Sequence, residues 1–164
     1  MPDIPESMYV VSLEEILWGG LLMAITMAIH GIGMLMVLRS NQRVNTILET
    51  RKSILTGMAP IILASCMILF VHLVEVFAWS QFFQWKGAFP NASLSFYFSL
   101  NEYTTLGSNF HLPLRWRLLE GMIASAGLLA FAWSTGVLIT LAQKFQQHQM
   151  ELYKMKHQKN LSKK

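Results

Sequence analysis

The chain has 164 residues, of which 53% are hydrophobic and only 13% are charged, and its mean hydropathy is positive. The apolar residues fall in blocks without a polar face, which excludes a soluble helical bundle. The single cysteine, Cys66, excludes a disulfide within the chain, and we interpret it as a small packing residue.

Three apolar blocks follow one another along the chain. The segment 1–15 is acidic and contains no basic residue before the first block, so we expect no cleavable signal peptide. The blocks at 16–38, 54–79 and 118–142 each exceed the roughly 20 residues that cross a hydrocarbon core. The sequence therefore predicts an all-α integral membrane protein with three transmembrane helices.

The basic residues predict how these helices are oriented. Four lie in the connection 39–53 and six in the tail 143–164, whereas the connection 80–117 has three and the N-terminal segment has none. By the positive-inside bias we expect the N-terminus outside and the C-terminus in the cytoplasm. This placement already explains the basic tail, so we expect no nucleic-acid partner. The tail itself is expected to be solvated and partly frayed, with an extension of the third helix as the alternative.

Tryptophan residues support the same orientation, because indole rings favour the boundary between lipid and water. Four of the five lie where the outer boundary is expected: Trp18, Trp79, Trp85 and Trp116.

A short aromatic run, 94–103, lies between the second and third blocks and leads into Thr-Thr-Leu-Gly-Ser-Asn at 104–109. The run is too short to span a bilayer. The pattern predicts a helix that enters the membrane and a return in extended form, with carbonyls facing a water-filled axis. Gly107 and Asn109 both tolerate the positive φ that such a return needs. An ordinary outer loop with a Gly-Ser-Asn turn is the alternative.

The stretch Thr-Thr-Leu-Gly resembles the filter of pore-loop, potassium-channel-like cation channels, which reads Thr-Thr-Val/Leu-Gly-Tyr-Gly-Asp. The resemblance extends to the order of parts in a pore domain, 54–142: outer helix 54–79, pore helix 94–103, filter 104–109 and inner helix 118–142. Three-span bacterial members carry a further helix like 16–38, so the resemblance implies a bacterial inner membrane. The resemblance implies a homotetramer, since one chain supplies one loop. It also implies that a permeating monovalent cation, K⁺ or Na⁺, is coordinated by Thr104, Thr105, Leu106, Gly107, Ser108 and Asn109.

The resemblance ends after Gly107. Ser108 stands where the family has Tyr, Asn109 where it has the second Gly, and Phe110 where it has Asp. Asn101 stands where the family often has a pore-helix Glu, so both members of a charged pair are replaced together. We therefore expect weak selectivity, with a non-conducting pore as the alternative.

We assign the support of the filter to Asn101, Glu102 and Phe110. Glu102 has two interpretations. Facing the axis or lying behind the filter, four copies of it would attract cations. The alternative is a buried acid that is hydrogen-bonded to its neighbours.

His72 and Glu75 lie three residues apart, on one face of the second helix. Ionisable side chains at that depth are costly, so this intramembrane polar pair is a candidate functional site. A hydrogen-bonded pair that anchors the outer helix to the pore helix is the alternative. A metal would need His30 or His111 as further ligands. Because His30 is expected at a different depth, we predict no metal.

The sequence contains no nucleophile–base arrangement and no phosphate-binding loop, so we expect neither an enzyme nor a cofactor. We expect a potassium-channel-like cation channel subunit that conducts passively, with lipid, monovalent cations and copies of itself as partners. Two alternatives stay open. One is a non-conducting structural or regulatory membrane protein that keeps the pore-loop fold. The other is a membrane metalloenzyme that uses His30, His72, Glu75 and His111.

Overall fold

The computed structural model describes residues 9–48 and 54–161, and these residues form four α-helices and no strand. The helices are α1 (Leu13–Leu48), α2 (Ile54–Trp85), α3 (Ala92–Tyr103) and α4 (Leu118–Leu161), and a 3₁₀ turn at Leu114–Trp116 precedes α4. Three stretches are long and apolar enough to cross a membrane, at Leu13–Val44, Met58–Trp85 and Leu114–Glu151, the last of which includes the turn before α4. The prediction of an all-α protein with three such helices is confirmed.

The long helices extend beyond the predicted spans. An apolar block marks the part of a helix that lipid can cover, whereas the helix continues until a cap or a breaker ends it. α1 therefore reaches Leu48 and α2 reaches Trp85. The tail, which we expected to be partly frayed, continues α4 as helix to Leu161, because Lys, Gln, Glu and Met are good helix formers. The predicted cytoplasmic bases Arg51 and Lys52 lie outside the described residues.

A capping box starts α1. The hydroxyl of Ser12 accepts the backbone amide of Glu15 at 3.2 Å, and the carboxylate of Glu15 accepts the backbone amide of Ser12 at 2.9 Å. The buried Glu15 carboxylate also accepts the hydroxyl of Tyr9 at 3.0 Å and the amide of Leu118 at 3.1 Å. These bonds fix the start of α1 beside the start of α4.

Aromatic residues surround a lysine at this end of the helices. The ammonium of Lys86 lies 4.3 Å from the ring of Trp18, 4.2 Å from that of Trp85 and 5.2 Å from that of Trp116. Cation–π attraction of this kind joins α1, α2 and the turn before α4. Three of the four predicted boundary tryptophans thus lie together.

The fourth, Trp79, lies in the core instead of at the boundary. Its ring is fully buried, and its Nε1 donates to the hydroxyl of Thr26 at 2.9 Å. Because α2 continues for six residues beyond Trp79, this ring lies about 9 Å inside the end of the helix. Phe98 of α3 and Ile123 of α4 belong to the same core cluster, which therefore joins all four helices.

The short helix α3 packs between α2 and α4. The side chain of Asn91 caps its start by accepting the amide of Leu94 at 2.8 Å. One turn later the buried hydroxyl of Ser95 donates to the carbonyl of Ser80 at 2.7 Å, which ties α3 to α2. At its other end, the carbonyl of Tyr103 lies so close to Gly127 of α4 that any Cβ there would overlap it.

Candidate functional site

The predicted filter residues begin with a Schellman turn that ends α3. The amide of Leu106 donates to the carbonyl of Asn101 at 3.0 Å, and the amide of Thr105 donates to the carbonyl of Glu102 at 3.0 Å. This turn requires a left-handed residue, and Thr105 takes that role with φ of 62°. Residues 104–106 therefore form a helix cap, not the extended return that we predicted. The cause is local, because the last carbonyls of a helix need donors and the following amides supply them.

The next residues lie on the surface of the single chain. Gly107 has φ of 74°, and apart from its two chain neighbours no residue lies within 4 Å of the position a Cβ would take. The hydroxyl of Ser108 accepts the amide of Phe110 at 3.0 Å. The side chain of Leu106 is 79% exposed, and Thr105 and Asn109 are exposed as well. The segment is thus turned away from the core of its own chain.

Asn101 and Phe110, which replace the charged pair of the resembled channels, both contact Tyr97. The side-chain amide of Asn101 donates to the Tyr97 carbonyl at 2.8 Å, and the ring of Phe110 lies edge-on to the Tyr97 ring at 6.4 Å. An aromatic contact therefore connects α3 to the loop where the resembled channels use a charged pair.

The Glu102 carboxyl lies against the backbone amide of Ser108, one of the predicted filter residues. Burial raises the pKa of the Glu102 carboxyl above its ordinary value, and the nearby carboxylate of Glu120 raises it further. The Ser108 amide and His111 act in the opposite direction on this pKa. A carboxyl in this position holds its proton to a higher pH than an exposed glutamate does.

A buried polar network joins the four helices. It consists of His30 on α1, His72 and Glu75 on α2, Tyr103 on α3 and Ser134 on α4, all of them buried. The Nδ1 atom of His30 lies 2.9 Å from Oε1 of Glu75, and the hydroxyl of Tyr103 donates to Oε2. The Nδ1 atom of His72 lies 2.8 Å from the Tyr103 hydroxyl. The predicted pair thus anchors α2 to α3, as one of its two interpretations proposed, and also to α1.

Ser134 closes the network between the two imidazole rings. Its Oγ lies 3.1 Å from Nε2 of His72 and 3.3 Å from Nε2 of His30. One hydroxyl proton can be donated to only one of these nitrogens, so the other ring must donate its own Nε2–H to Ser134. If the two neutral imidazole rings and the Glu75 carboxylate together hold one additional proton, every contact in the network pairs a donor with an acceptor. The network is electrically neutral in that state, which the interior of a membrane favours.

The position of His30 corrects our prediction that it lies at a different depth from His72 and Glu75. Trp18 packs against Phe82, with ring centroids 5.4 Å apart, so these two residues lie at one level of the bundle. His30 is twelve residues beyond Trp18 and His72 is ten residues before Phe82, which places them about 18 Å and about 15 Å from that level. His30 and His72 therefore lie at similar depths, because α2 continues as a helix beyond the apolar block 54–79.

The depth objection to a metal is therefore wrong. One potential ligand atom from each of His30, His72 and Glu75 lies within 4.8 Å of the others. His111, the fourth candidate ligand, is not part of this group. It is exposed and lies 3.5 Å from Glu120.

The sequence predicts His72 and Glu75 as a pair, but it does not reveal the roles of Tyr103 and Ser134 in the network. Tyr103 ends an aromatic run, where it looks like a packing residue. Ser134 is a hydroxyl residue within an apolar helix, and such residues seek hydrogen-bond partners on neighbouring helices. That rule is the one signal in the sequence that points to Ser134.

Together these elements define an all-α protein with three helices long and apolar enough to span a membrane, a fourth short helix and a buried polar network. The chain matches no family model, no curated protein and no solved structure. Its function is therefore inferred from the order of its helices, the segment 104–109 and the network.

Proposed function

We propose that this chain is one subunit of a homotetrameric, pore-loop cation channel that conducts ions passively. The position of α3 carries the proposal. Its last carbonyl lies against Gly127, nine residues into α4, and the Tyr103 hydroxyl reaches Glu75, ten residues from the end of α2. The end of α3 therefore lies about 13–15 Å along both long helices, which is about half of a 30 Å hydrocarbon core. A helix that stops at this depth supports a re-entrant hairpin.

The segment that follows α3 also supports the proposal of a water-filled pore. At this depth the non-helical backbone at Gly107, Ser108 and Asn109 has polar groups that lipid cannot satisfy. Such a backbone is tolerated where it is covered by protein or lines an aqueous cavity. Since the segment is exposed in the single chain, neighbouring copies around a shared axis would provide both conditions.

The electrostatics favour cations over anions. The C-terminal end of α3 carries the negative end of its helix dipole, and Glu102 lies in the same turn. In a tetramer four such ends converge on the axis.

We further propose that selectivity between K⁺ and Na⁺ is weak. A filter of bare carbonyl rings needs an extended backbone, whereas the Schellman turn keeps the amides of Thr105 and Leu106 on carbonyls of α3. A wider pore that passes partly hydrated ions fits this conformation better. The resemblance to potassium channels is then a resemblance of architecture, with a different basis for ion passage.

Flux measurements test the proposal. Full-length protein, shown to be tetrameric in detergent, is reconstituted into liposomes, and K⁺, Na⁺ and Cl⁻ fluxes are recorded with ion-sensitive dyes. We expect comparable fluxes of the two cations and none of Cl⁻. A tetrameric sample that leaks no more cation than protein-free liposomes would overturn it.

Two glycine variants test whether the ions pass through the predicted filter. Gly107→Ala and Gly87→Ala each force a side chain onto a left-handed backbone, with φ of 74° and 65°, at positions where a Cβ meets nothing within 4 Å apart from the adjacent residues. The strain is similar, about 1 kcal/mol in each case. Only Gly107→Ala should reduce cation flux, by about tenfold or more. Equal losses in the two variants would argue against conduction through residues 104–109.

A non-conducting membrane protein of the same fold is the second candidate. The Schellman turn favours it, because it satisfies the end of α3 within one chain and leaves residues 104–106 without an extended backbone. This candidate predicts a tetramer with no cation flux and no difference between the two glycine variants.

A further inference from the structure

We propose that the polar network is a binding site for one divalent first-row transition-metal ion, with Zn²⁺ as the representative. The ligands are Nδ1 of His30, Nδ1 of His72, the carboxylate of Glu75 and the phenolate oxygen of Tyr103. This proposal stands independently of ion conduction.

The spacing of the donor atoms carries the proposal. Nδ1 of His30 lies 2.9 Å from Oε1 of Glu75, and Nδ1 of His72 lies 3.5 Å from Oε2 of Glu75 and 2.8 Å from the Tyr103 oxygen. In a tetrahedral site with bonds of about 2.1 Å, neighbouring ligand atoms lie about 3.4 Å apart. These three distances differ from the tetrahedral value by less than about 1 Å, and one potential ligand atom of each of His30, His72 and Glu75 lies within 4.8 Å of the others.

The chemistry of the donors selects the class of metal. Ca²⁺ and Mg²⁺ take oxygen ligands, whereas two imidazole nitrogens with a carboxylate and a phenolate suit Zn²⁺ and its neighbours in the first transition row. His72 and Glu75 are three residues apart on one helix, so α2 holds two of the ligands in a fixed relation.

Ser134 supplies the outer contact that such a site needs. A histidine that binds metal through Nδ1 carries its proton on Nε2 and donates it to a neighbouring acceptor. The Ser134 oxygen lies 3.1 Å and 3.3 Å from the two Nε2 atoms, and its two lone pairs can accept both protons. One hydroxyl thus orients both rings.

The charges balance in the metal-bound state. A divalent ion with the Glu75 carboxylate and the Tyr103 phenolate has no net charge, and the metal-free network is also neutral when it holds its one shared proton. Binding therefore exchanges one ion for about two protons, one from the shared site and one from the Tyr103 hydroxyl. Such an exchange puts no uncompensated charge into the membrane interior.

Aromatic rings of α4 cover the site. The ring of Phe131 lies 4.4 Å from that of His72, and the ring of Trp133 lies 5.3 Å from that of His30. Both covering side chains are exposed on their other side, at 39% and 47%. The two rings therefore shield this side of the site.

Metal titration of the purified full-length protein tests the proposal. The protein is stripped with a chelator in detergent and titrated with Co²⁺, and Zn²⁺ is then added in competition. We expect one ion per chain, the intense visible absorption of four-coordinate Co²⁺, its loss on addition of Zn²⁺, and release of about two protons per ion in weakly buffered solution.

Variants assign the ligands. Glu75→Gln and His72→Gln should each weaken Co²⁺ binding at least a hundredfold, and Ser134→Ala should weaken it about 10–100-fold. His111→Gln is the matched control, because His111 is exposed near Glu120 and should leave binding unchanged. Tyr103→Phe should reduce proton release from about two per ion to about one and change the Co²⁺ spectrum.

The proposal is overturned if the wild-type protein binds no stoichiometric Co²⁺ or Zn²⁺. It is also overturned if binding is undiminished in His72→Gln, or if it disappears in His111→Gln. Where the glutamate or histidine variants do not fold, the wild-type spectrum and the proton count of Tyr103→Phe decide, since a hexahydrate-like spectrum or an unchanged proton count contradicts the assigned ligands.

Discussion

Tyr103 fixes the end of α3 in two directions. Its hydroxyl donates to Glu75 and lies 2.8 Å from Nδ1 of His72, which holds the helix against α2. Its backbone carbonyl lies against Gly127, which holds the helix against α4. The side chain is 1% exposed, so all of its partners are protein groups. The segment 104–109 begins at the next residue, so the position of Tyr103 determines where this segment starts.

Removal of the Tyr103 hydroxyl should destabilise the metal-free protein. Tyr103→Phe leaves the buried Glu75 carboxylate without one of its donors, and we expect a loss of about 1–3 kcal/mol in the free energy of unfolding. Thermal unfolding in detergent, followed by circular dichroism, measures the change. Tyr97→Phe on the same helix is the control, because its side chain is 54% exposed and its hydroxyl should matter little. Similar shifts in both variants would contradict the anchoring role of Tyr103.

Glu102 should make cation flux depend on pH. Burial raises the pKa of this carboxyl, so its charge is lost at a higher pH than that of an ordinary glutamate. Flux should therefore fall as the pH decreases through this raised pKa, since a neutral carboxyl no longer attracts cations. In Glu102→Gln the flux should be lower at neutral pH and should vary less over the acidic range. Liposome flux at a series of pH values measures this, and a wild-type dependence retained in the variant would exclude Glu102.

For individual residues, the sequence predicted which ionisable side chains form a site but not which partners they contact. His72 and Glu75 could be predicted as a site because charged groups are costly in an apolar block. The participation of His30 could not be predicted, because it depends on how α1 and α2 are aligned. That alignment follows from the contact of Trp18 with Phe82, which joins residues distant in the sequence.

Among the helices, α3 depends on one glycine for its depth. Gly127 lets the carbonyl of Tyr103 approach the axis of α4 more closely than any side chain would allow. The neighbouring Ala126 and Ala130 are fully buried, so small residues lie on both sides of this contact on α4. Small residues at helix contacts are the common means of close packing in membranes.

Gly127→Ala should therefore disrupt the packing of α3 on α4. The added methyl group overlaps a backbone carbonyl that cannot rotate away, and we expect destabilisation of about 1–3 kcal/mol. Gly136→Ala on the same helix is the control, because a Cβ there meets no neighbour within 4 Å and alanine favours helix. Thermal unfolding in detergent measures both. A Gly127→Ala protein as stable as the Gly136→Ala protein would show that the contact is not tight.

The extent of the helices could be predicted only in part. Apolar blocks located the three long helices, because the length and composition of a span are set by the bilayer. They did not locate the helix ends, which depend on caps. The box formed by Ser12 and Glu15 can be recognised in the sequence, whereas nothing comparable marks the end of α2 at Trp85. The turn at 104–106 was also missed, since the resemblance favoured an extended chain.

In the whole molecule, α1 and α4 start at the same end and run in the same direction. The bond from the Leu118 amide to Glu15 joins their first turns. Arg39 and Lys144 are each 26 residues beyond the first residue of their helix, so both lie about 39 Å from that end. The basic residues of two distant segments therefore collect at one end of the bundle. This geometry agrees with the clustering of bases on which the predicted orientation is based.

The orientation can be measured with an impermeant thiol reagent. In a Cys66→Ser background, Ser93→Cys places a thiol in the exposed first turn of α3, and Gln147→Cys places one on an exposed position of α4 beyond Lys144. Because bases are retained in the cytoplasm, right-side-out vesicles should be labelled at residue 93 and should be labelled at residue 147 only after permeabilisation. The reverse pattern would place the segment 104–109 on the cytoplasmic side, and the α3 hairpin would then enter the membrane from the face opposite to the one its charges predict.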